Sequence, residues 1–431
     1  MSRSFSLPAL PVVLALLLSG PAAAATFTVM NLADSGPGSL RQTVVDANAA
    51  AGADEVTFAP GLSGTITLTT DQIAITDPLV VSGPGIGVLT ISGNDLFRIF
   101  LIEKPAVDAP IDVALGGLTL THGRGVAAGT GGGAVLGLGE NLRIVNCVIS
   151  DSRSDTSGGG IAFESFSMRA LLTIESSTIS GNHAATFGGG IFASDSALQI
   201  VGTTLSGNVA NQGGGINAPS THLEILNSTL SGNHAQSEGG GIAFSEDGEG
   251  DGSLLLRLTT INNNSAEVQA GSLLVTSSIP KPVIRADHSI FANGTPFDLA
   301  GTGILQATIS ATYSLIETQG TLLVLGTNNL IGVDPLLGQL ANNGGPNLTH
   351  MPLPGSPVLN AGDPAIGNPP ATDQRGSVRI VGPAIDLGSV EGGAFVEVPT
   401  LSQVGLFLLV ASLLVAGTIR LRRHEAARPV A

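Results

Sequence analysis

A glycine triplet followed by an apolar residue recurs through the middle of the chain, at Gly158 to Ile161, Gly188 to Ile191, Gly213 to Ile216 and Gly239 to Ile242. A weaker copy spans Gly131 to Ala134, and successive copies are 27, 30, 25 and 26 residues apart. Between them lies a second motif, Ser177 to Asn182 (Ser-Thr-Ile-Ser-Gly-Asn), repeated at Thr203 to Asn208 and at Ser228 to Asn233. Self-similarity at this period means stacked units, each burying its apolar face against its neighbours. No ordinary globular fold imposes such a constraint.

Aligning the copies predicts which side chains point inward. Leu142, Leu172, Leu198, Leu223 and Leu254 share one position, and Ile144, Ile174, Ile200, Ile225 and Leu256 share the position two further on. Spacing of two is that of a strand. Ile149, Ile179, Leu205, Leu230 and Ile261 form a third column, and Ile161, Ile191, Ile216 and Ile242 a fourth. Three short strands per coil follow, stacked as parallel sheets: an all-β parallel β-helix. It is expected from about Thr65 to Ile331, with about ten coils each rising about 4.8 Å. Asn182, Asn208, Asn233 and Asn264 should form a ladder at a turn, with the glycines at a tight corner. Cys147 aligns with Ser177, Thr203, Ser228 and Thr259, which makes it a packed thiol in a column of small residues. Phe163, Phe192 and Phe244 read as core filling, and Thr204 as an outward residue tolerant of charge.

Composition supports a turn-rich β protein: 59 Gly and 24 Pro among 431 residues, with 43% hydrophobic and only 12% charged. The single cysteine excludes a disulfide framework and a cysteine metal site. A net charge of −16, with Lys104 and Lys281 the only lysines, argues against nucleic-acid binding.

Both ends carry targeting signals. Arg3, an apolar run from Leu7 to Leu18 and the small residues Ala22 to Ala25 make a secretory signal peptide over residues 1–25. Leu401 to Ile419 is apolar for close to the length of a membrane span, and Arg420, Arg422 and Arg423 follow it. The membrane is therefore an expected partner through residues 398–431.

Three stretches resemble parts of bacterial surface proteins built on a right-handed, pectin-lyase-like parallel β-helix. Ala33 to Gln42, Asp46 to Asn48, Ala53 to Phe58 and Leu62 to Ile66 look like the amino-terminal segment that bears a C-S-L-R-E-A motif, here Gly38-Ser39-Leu40-Arg41-Gln42-Thr43. Residues 26–64 would cap the first coil, with a short helix from Ser39 to Ala50 hiding the sheet edge. Asn343 to Pro346, Thr349-His350, Gly355 to Pro357, Asn360 to Asp363, Asp373 to Gly376 and Asp386 to Gly388 resemble a choice-of-anchor domain of type Q. Residues 332–397 would form that cap domain, a module with no known reaction. Val398-Pro399-Thr400-Leu401-Ser402 with Gly405 is similar to the I-P-T-L type of carboxy-terminal sorting signal, which implies a processing peptidase as a partner. A plain single-pass anchor is the alternative. The resemblances imply an exported protein at the bacterial cell surface, in the outer membrane or outside the cell, and no enzyme.

The fold also carries polysaccharide lyases and glycoside hydrolases, so the residues must decide. Hydrolases need two carboxylates flanking the bond. Glu175 and Arg257 share a column but lie about three coils apart, roughly 15 Å. Thr121-His122-Gly123 reads as a turn. His350, Asp363, Asp373 and Arg375 read as a buried ionic fastener more readily than as a catalytic set. The chain has no Trp and one Tyr, which weighs against a sugar groove. One loop, Ser245 to Gly252, alternates acids and glycines, so that Asp247, Glu249 and Asp251 are candidate calcium ligands, a solvated acidic loop being the alternative. No other cofactor is expected. An adhesin with a surface ligand is a third reading, and sequence does not name that ligand.

Overall fold

The computed structural model describes residues 24–104, 109–126, 131–165, 170–246, 252–277, 282–303 and 307–393. The chain to Gly392 forms one compact unit, a parallel β-solenoid of about nine turns, close to the ten expected. Three long sheets run its length, with twelve, eleven and nine strands, and a short six-stranded sheet joins them in the middle coils. Almost every long-range partner is one coil away, as in Leu172 paired with Leu198 and Leu198 with Leu223.

The four predicted columns lie in register. Ile144, Ile174, Ile200 and Ile225 follow one another across the first sheet; Ile149, Ile179, Leu205 and Leu230 do so across the second; Ile161, Ile191, Ile216 and Ile242 across the third. All are buried. Phe163 and Phe244 face this core, but Phe192 does not. It pairs with Ala162 rather than Phe163, so the pleat turns its ring outward, where it stacks on Phe187 at 6.2 Å.

The asparagine ladder is buried and continuous. Oδ1 of Asn208 accepts from the backbone and side-chain amides of Asn182 at 3.1 and 3.0 Å, and Asn233 receives the same pair from Asn208. The left-handed backbone angle at this turn falls on the preceding residue, Gly181, Gly207, Gly232 or Asn263. Asparagine is there for its amide, not for its backbone tolerance. In the four full glycine triplets the first residue takes a positive φ (+65° at Gly188), whereas in the weaker copy it is Gly132, because Val135 and not Ala134 pairs with Ile161 and shifts that copy by one residue. A Cβ on the second or third would meet backbone of the next coil, at 2.4 Å for Gly189 and 2.7 Å for Gly190. Cys147 occupies its column as expected: its backbone amide donates to Ser177 Oγ at 3.1 Å, and burial pushes its thiol up to about 11.

At the amino-terminal end a helix forms where expected, Leu40–Ala49, with the Ser39 hydroxyl accepting from the Gln42 amide. Its Leu40, Val44 and Ala47 are buried over the first coil. The stretch before residue 65 does more than cap. Thr26–Val29 and Asp54–Phe58 are strands that extend the first sheet, each paired in parallel to its neighbour. Leu330–Ile331 closes the second sheet at the other end. Residues 394–431, which hold the expected sorting segment, lie outside the described residues, as does most of the expected signal peptide.

Candidate functional site

Side chains with chemical potential concentrate where the carboxy-terminal segment meets the solenoid. After a two-stranded antiparallel ribbon, Leu337–Ala341 with Thr349–Pro352, the chain to Gly392 has little regular structure. It lies against the outer face of the second sheet. That face presents two polar rows: Thr178, Thr204, Thr229 and Thr260 in one, Ser180, Ser206, Ser231 and Asn262 in the other.

The segment binds these rows through hydrogen bonds. Thr178 Oγ1 donates to Asn347 Oδ1 at 2.9 Å, and Thr204 Oγ1 donates to the Leu348 carbonyl at 2.7 Å while accepting from Gln374 Nε2 at 2.8 Å. Thr229 Oγ1 donates to Gln374 Oε1 at 2.6 Å, and Thr260 Oγ1 accepts from the Ser389 amide at 3.0 Å. Arg257 reaches the Gly367 carbonyl at 2.6 Å. Farther along, the rows turn apolar, and Ile290 and Leu315 pack with Val358 and Leu387. Thr204, expected to be open, is fully buried.

The four candidate residues of this segment do not converge. Asp373 and Arg375 form an ion pair at 2.7 Å, and Asp373 also accepts the backbone amides of Arg375, Ser377 and Glu391. His350 stands apart, buried between ribbon and sheet. Its Nδ1 must donate to the Gly338 carbonyl at 2.7 Å, so Nε2 accepts from Ser231 Oγ at 2.8 Å. Burial lowers its pKa and holds the ring neutral. The Ser231 to His350 distance is that of a nucleophile and its base, yet both groups are sealed under the segment, out of reach of a substrate. Asp363 is elsewhere again: its backbone amide donates to His288 Nε2 at 2.8 Å, and His288 Nδ1 binds Asp287 at 2.9 Å. The ionic fastener is thus Asp373 with Arg375 alone.

Beneath them lies a charged cluster that sequence did not single out. Arg379 is 1% exposed, and its guanidinium reaches the Gly388 carbonyl, while Nε and Nη1 have no partner among the described residues. Burial pulls it down to about 10. Glu391 accepts from the Val381 and Asp386 amides, and burial pushes it up to about 7. The polar rows could have been read from the Thr-x-Ser spacing; the buried charges carry no periodic signal.

Elsewhere three carboxylates are paired with arginines along the coils. Arg143 binds Glu175 at 2.7 Å, Arg124 binds Asp155 at 3.2 Å and Arg257 faces Asp287 at 3.4 Å. His122 is a turn residue with φ +52° whose ring meets Thr121 Oγ1 at 2.9 Å. Asp247, Glu249 and Asp251 lie outside the described residues; at the base of that loop the Gly252 amide donates to Glu246 at 2.9 Å. Among the described residues no three His, Cys, Asp or Glu side chains are grouped to hold a metal ion, and no helix is long and apolar enough to cross a membrane. No family model matches the chain, and no curated protein does so.

Proposed function

We propose that this chain is an exported, non-catalytic rod of the bacterial cell surface, with right-handed coils of the pectin-lyase-like kind. One observation carries the reading: the residues that could do chemistry are spent on assembly. His350 fastens the carboxy-terminal segment to the solenoid and the Asp373–Arg375 pair braces that segment from within, while Glu175, Asp155 and Asp287 face arginines one coil away. In this reading residues 1–25 direct export, residues 332–397 are the choice-of-anchor-like module, and residues 398–431 hold the chain in the membrane as a sorting signal for a processing peptidase. The exposed coils meet a surface ligand.

Intact cells test the localisation. Protease or antibody added outside should reach the body, and truncation before Val398 should release it. Replacing Pro399 and Thr400 should leave unprocessed precursor. A body found only in the cytoplasm overturns the proposal. So does depolymerisation of any member of a panel of acidic and neutral polysaccharides, which would make the chain a lyase or hydrolase.

A further inference from the structure

The two ends of the hydrophobic column are finished differently. At the amino-terminal end Leu40, Val44 and Ala47 of the helix seal the first coil, each no more than 2% exposed. At the other end Ile331 occupies the inward column through its register with Ile316, yet it is 47% exposed. On the edge strand of the first sheet, Leu323 and Leu325 are 39% and 48% exposed, with Val333 and Leu336 open nearby. The Leu330 and Gly332 amides donate back to Ser314 and Ile316. Alternation along a parallel strand then directs the Ile331 N–H and C=O off the end of the rod.

Natural sheets protect such edges with charge, proline or a cover. Here no residue from Thr318 to Val333 is charged and none is proline. The run Thr321-Leu322-Leu323-Val324-Leu325 combines strand propensity, apolarity and lack of charge, which marks a segment that pairs with other strands.

We propose that this last coil is an interface with a second copy of the chain, joined end to end about a twofold axis. At the opposite end the helix covers the apolar core, so the exposed apolar surface of the last coil finds its like only in the same end of a second copy. A twofold contact is self-complementary, and it sets the edge strand Leu323–Leu325 antiparallel to its mate, an allowed ladder that continues the sheet. The five open side chains alone supply on the order of 350 Å², close to half of the roughly 800 Å² each partner of a stable pair gives up. The strand edges and Val324 supply more.

The full chain, in detergent where its ends require it, is examined by light scattering across micromolar concentrations. The expected result is twice the single-chain mass. Ile331→Asp and Leu325→Lys should each weaken the pair by at least about 30-fold. Circular dichroism selects variants that keep the native spectrum, and Leu325, on the outer face, is chosen so that one does. A wild-type chain of single mass overturns the proposal, as does a pair that survives both substitutions.

Discussion

Asn208→Ala tests the ladder that ties the coils together. The Asn208 side chain makes four buried hydrogen bonds: it accepts from the Asn182 backbone and side-chain amides and donates to the Ile179 carbonyl and to Asn233 Oδ1, at 2.9 to 3.1 Å. Alanine strands the backbone N–H of Asn182 and one of its side-chain hydrogens in a fully buried site. A stranded buried donor costs about 1–3 kcal/mol, and each of the two bonds lost to acceptors about 1 kcal/mol. The expected destabilisation is about 5 kcal/mol, comparable to the whole stability of many domains. Asn208→Asp should be at least as damaging at neutral pH, because its second oxygen would face the Ile179 carbonyl and Asn233 Oδ1. That damage should ease in acid, where the aspartic acid is protonated and can donate. Denaturant unfolding followed by circular dichroism measures both, with Ser206→Ala as a control expected within about 0.5 kcal/mol. A cost below about 1 kcal/mol for Asn208→Ala would refute the ladder.

Three further outcomes follow from the geometry. Thr204→Asp should loosen residues 332–392 and expose them to protease, since it sets a charge against the Leu348 carbonyl, whereas Thr90→Asp, on the uncovered part of the same sheet, should be mild. Cys147, with its thiol pushed up to about 11, should react with a thiol reagent at pH 8 at least about 100-fold more slowly than free cysteine until the coils unfold. Glu391 has its pKa raised in the fold from 4.5 to about 7, so its contribution to stability is fully present below about 4.5 and is lost as pH rises towards 7; melting temperatures over that range should fall, and Glu391→Gln should flatten the slope.

The coils were legible because each repeats the same local problem. A column such as Ile144, Ile174, Ile200 and Ile225 is one physical requirement written four times, and alignment exposes it without a structure. The helix at Leu40–Ala49 was legible for another reason, its Ser39 cap and its place before the first coil. Phe192 was misread because a ring next to the glycine corner looks the same one residue either side of the pleat, and only the pairing of Phe163 with Ala193 fixes the parity. Thr204 was misread because outward in a strand was equated with open to water. Asp373 and Arg375 could be paired from sequence, being two residues apart, but the placing of His350 on Ser231 spans 119 residues of separation with no repeat to announce it.

The cover over the second sheet makes use of a face written in threonine and serine, rows that begin earlier in the sheet at Thr65, Thr90 and Thr119 and at Thr67, Ser92 and Thr121. A bare β face meant for water tolerates lysine and glutamate, and a face meant for a core partner would be leucine and isoleucine. Thr178, Thr204, Thr229 and Thr260 instead offer a short methyl and one hydroxyl each, which packs closely and bonds an irregular backbone that cannot present a strand of its own. Where the covering chain does bring apolar residues, Val358 and Leu387, the rows beneath change to Ile290 and Leu315. The match between row and cover runs from Thr178 to Leu315. From Thr178 onwards, covering segment and coils therefore match one another, hydroxyl to polar backbone and then apolar to apolar.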